Sequence, residues 1–457
     1  MDETRTKRRR SRSQEFAVSS EPDHVQKMEK LLFAGLCALL AFAPLAFGTA
    51  DPWSKAVLEA GSACLVILWC VIQSAKKLIV LQWTWMFAPI LLFGAVALVQ
   101  IVFGLSARMQ STHDETILYC AYAMLFFLAT AVFQSERNQR KFVMIFSALG
   151  FLIAMFGIIQ HMTSHGVLYW YRQPRQESSV FGPFFNHNHY AGWMEMVWPL
   201  ALILALSEGQ KTGVRMMAGF AAVVMGFSIL LSSSRAGSAS FVTQMLFLGT
   251  LSLAQRKSKQ MRWAFASVFL ASAMFLYWFG FSSVWDRYSP VQVNTELTTG
   301  RLAITQDALH IGAMKPILGW GLGTFPYIYP EYRSFYTNLF VNQAHNDYAQ
   351  IWAETGAAGT IAMVWFVFLL LRAGMRGVRR GAIWKQNVNA RLAAFTGCLG
   401  ILVHSFADFN LHIAANAAMF YVLCAIATLP KTEVNVKEFP ARHHELNDEL
   451  METSVPG

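Results

Sequence analysis

Long apolar blocks alternate with short polar connectors along nearly the whole chain. Most blocks are close to the ~20 residues that cross a bilayer as a helix. The pattern predicts an all-α, polytopic integral membrane protein with about twelve transmembrane helices. These fall at 31–48, 55–74, 85–104, 116–133, 141–160, 188–206, 215–232, 236–254, 263–281, 357–373, 392–407 and 411–429. The turns at 232–236 and 407–411 are the tightest junctions in this scheme. One long polar segment, 282–356, separates the ninth span from the tenth. Within it, apolar positions 302, 304, 308, 309 and 311 predict a helix over 301–314 packed on one side. Pro89 and Pro199 fall inside spans and are expected to kink them.

Basic residues give the helices a direction. They gather in alternate connectors: Lys76/Lys77, Arg137/Arg140/Lys141, Lys211/Arg215, Arg256/Lys257/Lys259/Arg262 and Arg372/Arg376/Arg379/Arg380/Lys385. With twelve spans these all lie on one side, which the positive-inside rule makes cytoplasmic. Both termini are then cytoplasmic, and 161–187 and 282–356 face the other compartment. The organisation expected is a basic, disordered tail at 1–27, a polytopic membrane domain at 28–430 and a cytoplasmic tail at 431–457.

Composition supports this reading and narrows the partners. Of 457 residues, 55% are hydrophobic and 14% charged, where a soluble domain carries about a quarter charged. The net charge of +10 belongs mostly to the cytoplasmic connectors and to Lys7-Arg8-Arg9-Arg10. A basic cluster beside a membrane meets anionic lipid more readily than nucleic acid, so no nucleic-acid partner is expected. All six cysteines lie inside spans without a Cys-x-x-Cys pair, which argues against a disulfide framework or a thiolate metal site.

Polar chemistry collects at the outer ends of the spans. Asn186-His187-Asn188-His189 opens the sixth span; its asparagines suit a helix cap or a ligand, and its two imidazoles lack a carboxylate for a metal site. Ser232-Ser233-Ser234-Arg235-Ala236-Gly237 puts an arginine on the side where positive charge is disfavoured, either snorkelling or binding a ligand. Arg301 opens the loop helix, where free N–H groups also attract anions. The run Gly319-Trp320-Gly321-Leu322-Gly323 follows no strand and reads as a tight turn rather than a nucleotide loop. Last comes Gln343-Ala344-His345-Asn346-Asp347-Tyr348, leading into Glu354-Thr355-Gly356-Ala357-Ala358-Gly359-Thr360. A continuous helix over 344–373 would be ~45 Å long, against a ~30 Å membrane core, so it either projects or breaks at Gly356. Tyr327, Tyr329, Tyr332, Phe335 and Tyr336 suit an interfacial belt and a sugar-stacking surface equally.

Arginine matches phosphate oxygens bidentately and stays charged. A histidine near neutrality can deprotonate a hydroxyl. Two arginines and one histidine therefore permit transfer of a group from a lipid diphosphate to an alcohol without a metal ion.

These motifs resemble the O-antigen ligase / O-antigen polymerase superfamily, by motif over roughly residues 180–375 and by topology over the whole chain. The resemblance rests on His345-Asn346 followed by Gly356-x-x-Gly359-Thr360, on Arg235 in Ser-Arg-Ala-Gly, on Arg301, on the Asn186/Asn188 stretch and on Pro316…Gly319-x-Gly321-x-Gly323-Thr324-Phe325. It implies a GT-C-type glycosyltransferase of the bacterial inner membrane, with its long loop periplasmic. The donor implied is glycan on undecaprenyl diphosphate, and the acceptor is the lipid A core or a growing polysaccharide. No metal and no cofactor are implied. His345, Arg235 and Arg301 are then the catalytic residues, and Asn186, Asn188, Asn346, Asp347 and Tyr348 line the substrate site. A repeat-unit polymerase of the same superfamily is the alternative. A different class, a solute transporter, would use His404, Asp408, Asn410 and His412 as its polar path; no paired broken helices support it.

Overall fold

The computed structural model describes residues 22–77, 81–173, 179–207, 209–254, 300–336, 340–379 and 389–429, with isolated positions at 266–267, 270 and 274. The described residues are helical throughout, with no strand beyond the isolated bridges Leu168–Arg172 and Phe181–Phe184. The helices are α1 (Asp23–Leu45), α2 (Pro52–Lys76), α3 (Phe87–Val102), α4 (Met109–Val132), α5 (Glu136–Thr163), α6 (His187–Leu206), α7 (Thr212–Leu231) and α8 (Arg235–Ala254). Four more follow the expected pattern: α9 (Arg301–Met314), α11 (Asp347–Arg379), α12 (Ala390–His404) and α13 (Ala414–Thr428). The short α10 (Phe325–Tyr332) lies between α9 and α11.

Seven of these helices are long and apolar enough to cross a membrane: α1, α2, α4, α5, α7, α8 and α11. Helices α3, α12 and α13 are apolar but shorter. Each expected span other than 263–281 coincides with a helix; 263–281 lies outside the continuously described residues. The first helix begins at Asp23, inside the segment expected to be a disordered tail. Pro199 lies inside α6, but Pro89 is in the first turn of α3, where a missing N–H costs nothing.

Helix α6 is the centre of the bundle. All of its residues except Ala205 are buried, including Trp193, Trp198 and Glu195, and α5, α7, α8, α12 and α13 pack around it. Lipid gives apolar helices no hydrophobic reason to associate, so packing and interhelical hydrogen bonds hold such a centre together. Gln244 of α8 supplies several at once. Its amide nitrogen donates to the carbonyls of Glu195 on α6 and Thr396 on α12, at 2.8 and 2.9 Å, and its oxygen accepts from the Trp198 indole at 2.5 Å.

The long polar segment carries its own small core. Ile304, Ala308 and Ile311 of α9 pack with Phe325, Ile328 and Tyr329 of α10 and with Ala349 and Ala353 of α11. Leu302 and Leu309 are exposed, so the apolar face of α9 is narrower than its sequence suggests. Of the five loop aromatics, Tyr329 is core, its hydroxyl 3.2 Å from the Asp307 carboxylate, whereas Tyr336 is 80% exposed.

Helix α11 breaks at Gly356, whose φ of 60° and ψ of −157° fall in a region open essentially only to glycine. The N–H groups of Ala357 and Ala358 donate instead to the carbonyls of Pro316 and Ile317, at 2.8 and 3.1 Å. The glycine run lies in the notch. Trp320 and Gly321 donate to the carbonyls of Ala353 and Glu354, and the Glu354 carboxylate accepts from the N–H of Gly323 at 2.8 Å. Gly319, also at positive φ, passes so close to the Glu354 backbone that no side chain fits there. Gln100 of α3 closes the joint, donating to the carbonyls of Leu318 and Glu354 and accepting from the N–H of Leu322.

Candidate functional site

The segment that delivers His345 is fastened to the connector between α12 and α13. Asn346 caps α11, its side-chain oxygen accepting from the N–H groups of Tyr348 and Ala349, both at 3.0 Å. Its amide nitrogen reaches across to the Phe406 carbonyl at 3.0 Å. The Asp347 N–H donates to the Ser405 carbonyl, and the Tyr348 hydroxyl donates to the Leu402 carbonyl at 2.6 Å. His345 itself is left-handed, with φ of 53°, a conformation rare for a side-chain-bearing residue and held here by these flanking bonds.

The connector 405–413 lies outside both flanking helices and carries Asp408, fully buried. Its carboxylate faces a guanidinium and an imidazole. Arg301 Nη1 is 3.4 Å from Oδ2, and His345 Nδ1 is 3.4 Å from Oδ1. Arg301 Nη1 also donates to the Ala407 carbonyl at 2.9 Å. Burial alone would raise the Asp408 carboxyl, but the charge of Arg301 and the contact and charge of His345 outweigh it and hold the group well below the usual carboxylate range. An ionised carboxylate thus lies 3.4 Å from Nδ1 of the imidazole. The ring is still a quarter exposed.

Phe409 lies between two imidazoles, with ring centroids 4.8 Å from His189 and 4.9 Å from His345. His189 is in the first turn of α6, whose cap is Asn186, accepting from the Asn188 N–H at 2.8 Å. His187 turns the other way, its Nδ1 lying 2.6 Å from the carbonyl of Ser232, in the turn that leads to Arg235. The start of α6 therefore bridges the Arg235 turn and the Asp408 connector. Behind Asp408, His404 Nδ1 lies 3.1 Å from the carboxylate of Glu195, and neither residue is exposed.

The structure thus brings Arg301 and His345 onto one carboxylate. Asn186 and Asn346 act as helix caps, and Asp347 and Tyr348 are engaged with the connector. Asn188 is buried within α6. The polar group His404, Asp408, Asn410 and His412 is continuous with this cluster rather than a separate path. Sequence reading did not find Glu195, although an acid within an apolar span is itself a signal of use.

On the far side of Asp347 the Nδ1 of His412 lies 2.7 Å from its Oδ1. Burial alone would lower His412, but the hydrogen bond and charge of Asp347 raise it to about 9. A raised pKa contributes stability that is complete below the unfolded value of about 6.5 and is lost as pH climbs through 9. The thermal midpoint of the purified protein is therefore expected to fall between pH 6.5 and 9 by more than that of His412→Gln. Parallel pH dependences for the two proteins would overturn this assignment. Asp347 and His412 also border a cleft of about 120 Å³. Its other walls include Glu115, Tyr119, Phe93, Met363, Phe366 and Tyr421.

These features define a polytopic helical membrane protein with an arginine–carboxylate–imidazole cluster gathered at the ends of several helices. Residues 220–364 match the model of the O-antigen ligase family, which supports the resemblance of the chain to the O-antigen ligase / O-antigen polymerase superfamily. That family points to a membrane glycosyltransferase-like ligase or polymerase acting on lipid-linked glycan and polysaccharide. None of the curated proteins matches the chain.

Proposed function

We propose that this protein is an O-antigen ligase-like glycosyltransferase of the bacterial inner membrane, moving glycan from undecaprenyl diphosphate to an acceptor hydroxyl at the periplasmic face. In this topology about twelve spans place both termini in the cytoplasm and residues 282–356 in the periplasm. The observation that carries the reading is the meeting of Arg301 and His345 at Asp408, with Arg301, His345 and Arg235 all inside the family-matched segment.

His345 Nε2 takes the proton of the acceptor hydroxyl while Asp408 steadies the ring through Nδ1, the division of labour of a carboxylate–histidine pair. The hydroxyl oxygen attacks the anomeric carbon, the bond from that carbon to the diphosphate oxygen breaks, and the negative charge develops on the leaving diphosphate. Arg301 and Arg235 hold the diphosphate and offset that charge as it forms. Asn186, Asn346, Asp347 and Tyr348 shape the surrounding substrate surface with Asn188 buried behind it, and the apolar cleft beside Asp347 lies where a lipid would approach.

The test is transfer by the purified protein from undecaprenyl-diphosphate glycan to a lipid A core or to a polysaccharide chain end, with and without excess chelator. Product on either acceptor, undiminished by chelation, is the expected result, and the preferred acceptor separates ligase from polymerase. No transfer to either by folded protein would overturn the reading. Activity abolished by chelator and rescued by a divalent ion would overturn the arginine clamp.

A further inference from the structure

Polar groups buried behind the site outnumber the partners available to them. His404 Nε2, His189 Nε2, Asn410 Nδ2 and Asn416 Oδ1 are buried without a hydrogen-bond partner among the described residues. They belong to one region. Asn416 donates to the His189 carbonyl at 3.0 Å and to Asn410 Oδ1 at 2.9 Å, and His404 ends α12, four residues before Asp408 on the connector that follows. The set mixes donors with acceptors, which suits neither a bare cation nor an anion. It suits water, which satisfies about three such atoms at a time.

At the inner end of this region is the Glu195–His404 pair. Its contact of 3.1 Å between a ring nitrogen and a carboxylate oxygen requires one proton between them. A fully buried ion pair is poor evidence of stabilisation, since well-packed apolar residues usually do as well, and ionisable groups inside a membrane are there for use by default. The charged groups that face the pair are Asp408 from the connector and Arg301 from α9. His189, on the same helix α6 as Glu195, has its ring 4.8 Å from that of Phe409, which in turn lies 4.9 Å from the ring of His345.

We propose that Glu195 and His404 form the proton store of the site: the proton taken by His345 from the acceptor hydroxyl passes inward, through water held by the orphaned polar atoms beside Asp408, to this pair. His345 is thereby returned to its basic form while the diphosphate leaves unprotonated, and the stored proton returns to the periplasm after product release. The inference rests on the transfer reading. Neither residue touches the reacting atoms; both act through His345.

The experiment uses full-length protein in lipid nanodiscs, comparing wild type, Glu195→Gln and His404→Gln. Turnover of Glu195→Gln at neutral pH is expected to fall about tenfold or more with KM unchanged, within the range attributed to proton transfer. It should recover as pH rises, because solvent can then accept the proton directly. A wild-type pH profile, or a loss equal at every pH, would overturn the proposal. Infrared difference spectra on pH titration give a readout that needs no transfer activity. The carboxyl signal missing from Glu195→Gln should titrate in wild type, and Asp408→Asn should shift its midpoint. A titration unmoved by Asp408→Asn would overturn the coupling even in a preparation that transfers no glycan. Should Glu195→Gln not fold, His404→Gln assigns the same signal by perturbing it.

Discussion

Folded His345→Ala is expected to turn over about 10²–10⁴-fold more slowly than wild type, the usual contribution of a positioned general base. Donor binding should survive, because the diphosphate is assigned to Arg235 and Arg301. The proposal gives Asp408 a dependent part, so Asp408→Asn should lower turnover as well, by loosening the ring it orients at 3.4 Å. Adding Asp408→Asn to His345→Ala should then cost little more, since a base and its orienting partner act as a unit. A purely structural His345 would behave differently: replacing it would lower expression and thermal stability while folded protein kept its specific activity. Measuring turnover and donor affinity on purified variants separates the cases, and near-normal turnover of folded His345→Ala would end the catalytic assignment.

Replacing Arg301 is expected to weaken donor binding and rate together. Lysine should rescue poorly, because it cannot present the planar fork that matches phosphate oxygens. A second effect follows from the geometry. Arg301 is the chief counter-charge of Asp408, which is wholly buried, so Arg301→Ala leaves a carboxylate without its main partner. Removing one half of such a pair destabilises far more than removing both. Arg301→Ala/Asp408→Asn should therefore recover thermal stability relative to Arg301→Ala while recovering no transfer. Arg235→Ala, at the far side of the α6 start, should likewise weaken the donor. Equal stability of the Arg301 single and double variants would show that Arg301 does not compensate Asp408.

Hydropathy made the helices legible because each membrane-crossing segment must satisfy its own backbone, so its length and apolarity are written locally. Local chemistry also marked the first turn of α9, the turn at Gly319–Gly323 and the choice at Gly356, where the chain breaks rather than projects. What could not be read were pairings across the bundle. Asn346 and Phe406 are sixty positions apart and meet only after α11, α12 and the connector have packed. For the same reason Asp408 was grouped with His404, Asn410 and His412 by nearness in sequence, when its partners are Arg301 and His345. Glu195 was missed because a single acid leaves the apolar pattern of α6 intact. Tyr329 carries the same chemistry as its exposed neighbours, and only the packing of α10 places it in the core.

The connector at 405–413 has a consequence for biogenesis. His345 leaves the ribosome well before the residues that position it, and Asp408, Ser405 and Phe406 emerge only with the penultimate helix. On the proposed mechanism, a nascent chain can therefore insert the helices that precede α12 while still lacking the carboxylate that faces His345. The site is completed late on that mechanism, when α12 and α13 pack and their connector meets His345. On that reading, premature termination within α12 would leave a chain without Asp408 and without transfer, a loss that quality control reading membrane insertion alone would not detect.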